Sequence, residues 1–272
     1  MSESTAKGLR HLVHTPFFTF FTGIVDSHHV ASQHTSGPLR LLEVGCGSGE
    51  FAQLLKEHYQ EKIIITAIDP HSHAVEKAKT ARSQFGIRFE NLSLLEADAS
   101  ERYDIILFTK SLHHCEPLEE TVVRAYDLLD EHGIFVAEEM NLEAMNEATA
   151  GWYFGRLDLL KAADQLDKFN KHAIAAVTNA SSLTPIERWK SMLMHSLPSA
   201  DLIIKLIRDK FGSGNTRVTA TAPFLHQFLV ESGLKDTPVG KNVLTEFMAQ
   251  EDQAIRDNII APVGIFIVAE KR

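Results

Sequence analysis

"LRLLEVGCGSGEF", residues 39–51, is the stretch on which the reading of this chain turns. Leu39, Leu41, Leu42 and Val44 make the kind of short apolar run that a buried strand uses, and it stops at three glycines on alternate positions, Gly45, Gly47 and Gly49. Glycine reaches φ > 0 and lets backbone approach a ligand where a Cβ would collide. From Glu50 the pattern turns helical. Strand, glycine turn and helix in that order place backbone N–H groups and a helix N-terminus at the strand's carboxyl end, where ligands bind. The spacing is G-x-G-x-G, which opposes the G-x-G-x-x-G dinucleotide fingerprint, and no G-x-x-x-x-G-K-[ST] occurs, which excludes a phosphate-cradling loop.

Outward from this stretch the chain alternates. Strands are expected at Arg40–Val44, Ile63–Ile68, Arg88–Leu92, Tyr103–Phe108 and Gly133–Glu138, with helices at Glu50–Tyr59, Ser72–Phe85 and Leu118–Leu129 between them. "EHG" at 131–133 reads as a glycine stop for the third helix. Strands alternating with helices mean right-handed βαβ units and a mainly parallel sheet. Residues 141–214 then read as helices without strands, and "FGSGN" at 211–215 as a loop. Alternation resumes with a helix at Pro223–Ser232, a strand near Lys235–Lys241 and a last strand at Val263–Ala269. The expected organisation is an N-terminal helical segment (1–38), an α/β core (39–140), a helical lid or insertion (141–214) and the rest of the core (215–272).

Two acids add to the glycine turn. Asp69 closes the second strand in "IIITAIDP", where a carboxylate can accept from both hydroxyls of a ribose. Asp98 in "LLEADAS" follows the third strand, where it can accept from an exocyclic adenine amine. An adenosine-like ligand suits both.

With these residues in view, the sequence resembles the class I S-adenosylmethionine-dependent methyltransferases of small-molecule type. The likeness lies in "LLEVGCGSGEF", "AIDPHSHAVEKAK", "EADAS", "YDIILFTKSLHHC" and "LLDEHGIFVAEE", over roughly residues 39–140 and the final strand pair. It implies a doubly wound, seven-stranded Rossmann-like sheet of order 3-2-1-4-5-7-6 with the last strand antiparallel. It also implies S-adenosylmethionine as cofactor: Gly45, Gly47 and Gly49 against its methionine part, Glu43 orienting the turn and the ammonium end, Asp69 on the ribose and Asp98 on adenine. Cys46, Pro70, Ala99 and Lys110 flank these positions and join the cofactor set.

Methyl transfer is an in-line displacement, so holding the reactants in line matters most, and a base is needed only for an acceptor that must first lose a proton. The ends of strands four and five nominate "TKSLHHC" and "AEEMN". His113 or His114 could take such a proton; the other reading is that "LHH" only packs beside the cofactor. Strand alternation sends one of Glu138 and Glu139 toward the pocket, a substrate contact or else a helix N-terminal acid. Trp152, Tyr153 and Phe154 in the inserted helices suit a lid over the acceptor, or ordinary helix packing. Metal binding is not supported: His28, His29, His71 and His73 lack ligand neighbours, and the chain has no H-E-x-x-H.

Composition bounds the rest. In 272 residues, a net charge of −9 and the absence of a basic run argue against nucleic acid as a partner. Two cysteines make no disulfide framework and suit a reducing compartment. No membrane-length apolar run or signal pattern is present, so a cytoplasmic protein is expected, with "PFFTFF" at 16–21 packing over a pocket or core. The expected function is methyl transfer to oxygen, nitrogen or sulfur of a small-molecule acceptor. The alternative is a protein that keeps the cofactor pocket for a non-methylating cyclisation or isomerisation, or for binding a partner.

Overall fold

Runs rich in Leu, Ile, Val and Phe become central strands of a parallel sheet because both of their faces can be covered by helices. The strands are β1 (Leu39–Val44), β2 (Ile63–Ile68), β3 (Arg88–Glu90), β4 (Tyr103–Thr109), β5 (Leu129–Met140), β6 (Thr216–Ala222) and β7 (Gly264–Glu270). They form one sheet of order β3-β2-β1-β4-β5-β7-β6. β1 runs parallel to β2 and β4, β2 to β3, and β4 to β5. His132 N–H donates to the Lys271 carbonyl at one end of β5 and Asn141 N–H to the Val263 carbonyl at the other, so β7 runs against β5. This is the doubly wound topology expected from the sequence.

The structure, a computed structural model, describes residues 8–32, 37–167, 183–192 and 197–272, with backbone only at 28–32. The remainder of the expected insertion and the side chains of His28 and His29 lie outside the described residues. The described helices are α1 (Leu9–Leu12), α2 (Thr15–Ser32), α3 (Glu50–Tyr59), α4 (Ser72–Arg82), α5 (Leu118–Leu128), α6 (Glu147–Ala162), α7 (Pro185–Met192), α8 (Ala200–Phe211), α9 (Leu225–Glu231) and α10 (Pro238–Arg256). The chain divides into two compact units.

The sheet unit comprises Phe17–Glu139, Pro198–Thr219 and Ile265–Arg272. In its core, Leu42, Val44, Ile106, Phe108 and Phe135 pack with Val122, Ala125 and Leu128 of α5 and with Ile203, Ile207 and Phe211 of α8. Phe17 and Phe21 of α2 are fully buried, their rings 5.4 and 6.0 Å from that of Phe51 on α3. Burial of each contributes about 1.5–3 kcal/mol. The aromatic run at 16–21 therefore covers core, as one of the sequence readings had it.

The second unit comprises Met1–Pro16, Met140–Leu197 and Ala220–Gly264. Tyr153, Phe154 and Leu157 of α6, Trp189 of α7, Leu225 and Leu229 of α9, and Leu244 and Phe247 of α10 form its core. Buried Glu251 accepts the backbone N–H groups of Phe224, Leu225 and His226 and bonds Nδ1 of His226 at 2.9 Å.

Several boundaries differ from the sequence reading. The strand expected near Lys235–Lys241 is the start of α10: Thr237 caps it by accepting Gly240 N–H at 3.0 Å, and Pro238 occupies the first turn. The sixth strand is instead "TRVTATA" at Thr216–Ala222. α5 ends at Leu128, and "EHG" lies within β5 at a register shift, where His132 has φ 63°. The expected 141–214 block also divides, since α8 belongs to the sheet unit while Met140–Leu197 joins the N-terminal residues and 220–264.

Candidate functional site

At the tip of β1 the backbone turns back on β2: Gly45 and Cys46 both donate to the Ile68 carbonyl, at 2.8 and 3.0 Å. All three glycines have positive φ, 72°, 53° and 81° in chain order. Their surroundings separate them. A Cβ on Gly45 would lie 2.4 Å from the Ser111 Cβ, and one on Gly49 would lie 2.7 Å from the Phe89 ring. A Cβ on Gly47 would meet nothing within 4 Å. Two of the glycines make room for the protein itself, and the third faces open space.

That open face is tied to Asp69. Gly47 N–H donates to Asp69 Oδ2 at 2.9 Å, while Oδ1 accepts His71 N–H at 2.8 Å. His71 Nδ1 lies 3.0 Å from the same Oδ1; of the about four lone-pair sites of a carboxylate, these contacts leave one on the Oδ2 side for a hydroxylated ligand. The turn borders a cleft of about 700 Å³, in the range of small-molecule sites, lined by Gly45, Asp69, Pro70, His71, the apolar wall Leu92–Leu95, Lys110, Ser111, His114, Cys115, Glu116 and Thr121. Ser111 is fixed there by donating to the Val44 carbonyl at 2.5 Å. Lys110 has φ 56° and donates its N–H to the Glu138 carbonyl at 2.9 Å.

Glu43, on β1, is buried, and its Oε2 has no hydrogen-bond partner. Burial first, then the charge of Glu50, push its pKa up to about 8. Glu50 bonds Ser48 Oγ at 3.0 Å and lies 3.5 Å from Arg82. Burial also raises the thiol of Cys46, assisted by Glu43 and Asp69, and that of Cys115 to about 12, so neither suits a thiolate nucleophile.

The two adjacent histidines part company. His113 is buried: its Nδ1 meets Glu139 Oε2 at 2.5 Å, and Glu139 Oε1 accepts Leu112 N–H at 2.9 Å and His113 N–H at 3.3 Å. His114 lines the cleft, its ring 4.1 Å from that of His113. Glu139 thus caps the turn and orients His113.

Other expected site residues lie elsewhere. Asp98 is exposed and outside the cleft lining; its Oδ1 accepts Ser100 N–H at 2.8 Å and Ser100 Oγ–H at 2.9 Å, bonds that hold it below the usual carboxylate range. The carbonyl of Ala99 accepts from Arg102. Glu138 is buried at the end of β5. In the second unit, Tyr153 is wholly buried with its hydroxyl 2.9 Å from Ser232 Oγ, whereas Trp152 is half-buried beneath the Arg156 guanidinium. Sequence reasoning nominated the stretch that holds Ser111 without singling that residue out, and missed the Leu92–Leu95 wall. Among the described residues no cluster suits a metal ion, and no helix is long and apolar enough to cross a membrane.

The sequence family described as "Methyltransferase domain" matches residues 42–135. A ubiquinone biosynthesis O-methyltransferase of Rhodopseudomonas palustris is 29% identical over 136 residues, 48% of this chain and 52% of that protein. A malonyl-acyl-carrier-protein O-methyltransferase of Anoxybacillus flavithermus is 27% identical over 107 residues, 39% of this chain and 41% of that one. The chain thus spans about half the length of the curated relatives it matches. In fold it is similar to the plantazolicin methyltransferase BpumL, solved with a monoazolic desmethylPZN analog and S-adenosylhomocysteine (SAH), with a TM-score of 0.54 and 14% identity over 97% of this chain and 86% of that one. Residues 42–135 are thus a methyltransferase domain, and the strand order is the one that the resemblance to the class I S-adenosylmethionine-dependent methyltransferases implied.

Proposed function

We propose that the protein transfers the methyl group of S-adenosylmethionine to an oxygen of a small-molecule acceptor. The observation that carries this is the turn itself: Gly45 and Asp69 line one cleft, and the same Asp69 holds the N–H of Gly47, whose Cα faces open space. The cofactor, when bound, supplies an electrophilic sulfonium methyl. The chain's residues supply position. Asp69 takes a ribose hydroxyl with the acceptor site that Gly47 and His71 leave, and Leu92–Leu95 offer an apolar face to the base. Asp98 lies outside the cleft lining and accepts both Ser100 donors at Oδ1, so adenine recognition is left to the apolar face. His114, the cleft-facing member of the pair, takes the proton of a hydroxyl acceptor; His113 and Glu139 hold the turn that presents it. The choice of oxygen rests on the names of the two curated relatives, both O-methyltransferases.

The test is turnover. The protein is incubated with S-adenosylmethionine and a panel of phenols, carboxylic acids, amines and thiols, and SAH is followed. SAH produced with oxygen acceptors supports the reading. Cofactor binding with no SAH from any acceptor would favour the non-methylating alternative.

A further inference from the structure

The glycine turn is held from behind by a side chain that belongs to another helix. α3 starts at Glu50 with Gly49 as its cap, left-handed at φ 81° and ψ 22°, and no side chain bonds the cap. Instead, Ser48 Oγ lies 3.0 Å from both Glu50 oxygens, and Glu50 Oε1 lies 3.5 Å from Nη2 of Arg82, the last residue of α4. The stem of Arg82 passes Gly49 to get there. A Cβ on Gly49 would come 3.2 Å from Arg82 Cδ, so the glycine leaves the arginine room.

The guanidinium is costly where it stands. Arg82 is 6% exposed, and its Nε has no hydrogen-bond partner among the described residues. Burying a cation without full hydrogen bonding works against folding unless opposite charges offset it. Here the offset comes from carboxylates: Glu50 at ion-pair distance, and buried Glu43, on which Arg82 and Glu50 act with opposite sign. Two acids behind one turn repel each other, and Arg82 is the cation that lets Glu50 stay against Ser48. Ser48 in turn stands between Gly49 and Gly47, whose Cα faces open space. Resting on the cofactor reading above, we propose that Arg82 is a positioning residue: acting through Glu50, it fixes Ser48 and so the Gly47 backbone against which the cofactor seats. A backbone ordered in advance binds more tightly, because less order has to be imposed on binding.

The test is calorimetric titration with SAH on wild type, Arg82→Met, Arg82→Lys, Glu50→Gln and the double variant Arg82→Met/Glu50→Gln, each well below its melting temperature. Arg82→Met keeps the apolar stem and loses the charge, and it is expected to bind SAH roughly tenfold more weakly. Arg82→Lys keeps the cation and should recover most of that loss. Residues that act through one another are not additive, so Arg82→Met should cost less than about twofold once Glu50→Gln is present. Melting temperatures fall whether Arg82 positions the turn or only braces the core; affinity separates the two roles. Unchanged SAH affinity in folded Arg82→Met, or losses that add in full in the double variant, would overturn the role of Arg82 while leaving the cofactor reading intact. Should Arg82→Met fail to fold, Glu50→Gln carries the test: it should weaken SAH binding by about three- to tenfold, and unchanged affinity would overturn the proposal. A wild type that binds no SAH would overturn both readings.

Discussion

Gly45 and Gly47 stand two residues apart with the same sign of φ, yet a methyl group added to each should do opposite things. Both substitutions to alanine put a Cβ on a left-handed backbone, which costs roughly 1–2 kcal/mol. At Gly45 the new atom lies 2.4 Å from the Ser111 Cβ, so overpacking adds about 1–3 kcal/mol. Gly45→Ala should therefore lose roughly 2–5 kcal/mol of stability. For a chain of this size that lowers the melting temperature by several degrees or more, at about 2–4 °C per kcal/mol. At Gly47 the Cβ meets no protein atom within 4 Å, so the conformational cost is the whole loss. If a ligand approaches that face, the same methyl displaces it; a comparable overpacking penalty of about 1–3 kcal/mol predicts a five- to 150-fold loss of affinity. Calorimetric titration with SAH and thermal melts of the unliganded variants measure the two effects separately. Gly47→Ala should lose only that conformational cost, melting roughly 2–8 °C below wild type, and bind poorly. A Gly47→Ala variant, or the bulkier Gly47→Val, that binds SAH with wild-type affinity would refute the argument, because the open face would not be the ligand's path.

Asp69→Ala removes both a ligand acceptor and the anchor of Gly47 N–H; one charge-assisted bond is worth about 1.5–3 kcal/mol, so SAH affinity should fall at least roughly tenfold, and an unchanged dissociation constant would defeat the ribose assignment. Glu43 gives a pH prediction. Its folded pKa of about 8 lies above the ordinary 4.5, so its contribution to stability is present below about 4.5 and is lost as pH rises through 8, with a limit on the order of 3–5 kcal/mol. Glu43→Gln should flatten that decline, and denaturant titrations of both proteins at pH 5 and pH 9 that show parallel slopes would exclude it. His114→Gln should lower turnover of a hydroxyl acceptor by about 10²–10⁴-fold while SAH binding holds, and His113→Gln should act mainly on stability; a His114→Gln enzyme with most of its rate would mean that positioning alone suffices.

Why the fold was so legible in the sequence can be argued from where the reading failed. β1, β2 and β4 are apolar on both faces because they sit in the middle of a covered sheet, and their runs are unmistakable. β6 ends the sheet, and its threonines and arginine are partly exposed, so "TRVTATA" carries β-branching but no apolar run. The strand expected at 235–241 failed for a local reason. Thr237-Pro238 is a helix start, a side-chain cap followed by a residue whose missing N–H costs nothing in the first turn. "EHG" failed in the reverse sense: Gly133 serves a register shift inside β5 rather than a helix stop, because a Cβ there would press on the Asp130 and Tyr103 carbonyls at 3.0 and 3.1 Å.

The site was legible where backbone conformation dictates residue type and obscure where side chains choose among partners. Positive φ favours glycine and a Cβ at Gly45 or Gly49 would collide, so the turn shows itself in one line of sequence. Nothing in "LHH" reveals that His113 turns inward and His114 toward the cleft, because that is decided by Glu139, far along the chain. The second unit shows what the inward histidine is doing. There Glu251 accepts three successive backbone N–H groups and the Nδ1 side of His226, the same arrangement that Glu139 makes with Leu112 and His113. A buried carboxylate in this chain recurs as the cap of a short turn, with the histidine as one more donor satisfying it. A His–Glu contact at 2.5 Å would invite assignment as a catalytic dyad had it stood alone. Beside its counterpart it is better explained as the means of holding the 112–114 turn, which leaves proton transfer to the imidazole that turn presents.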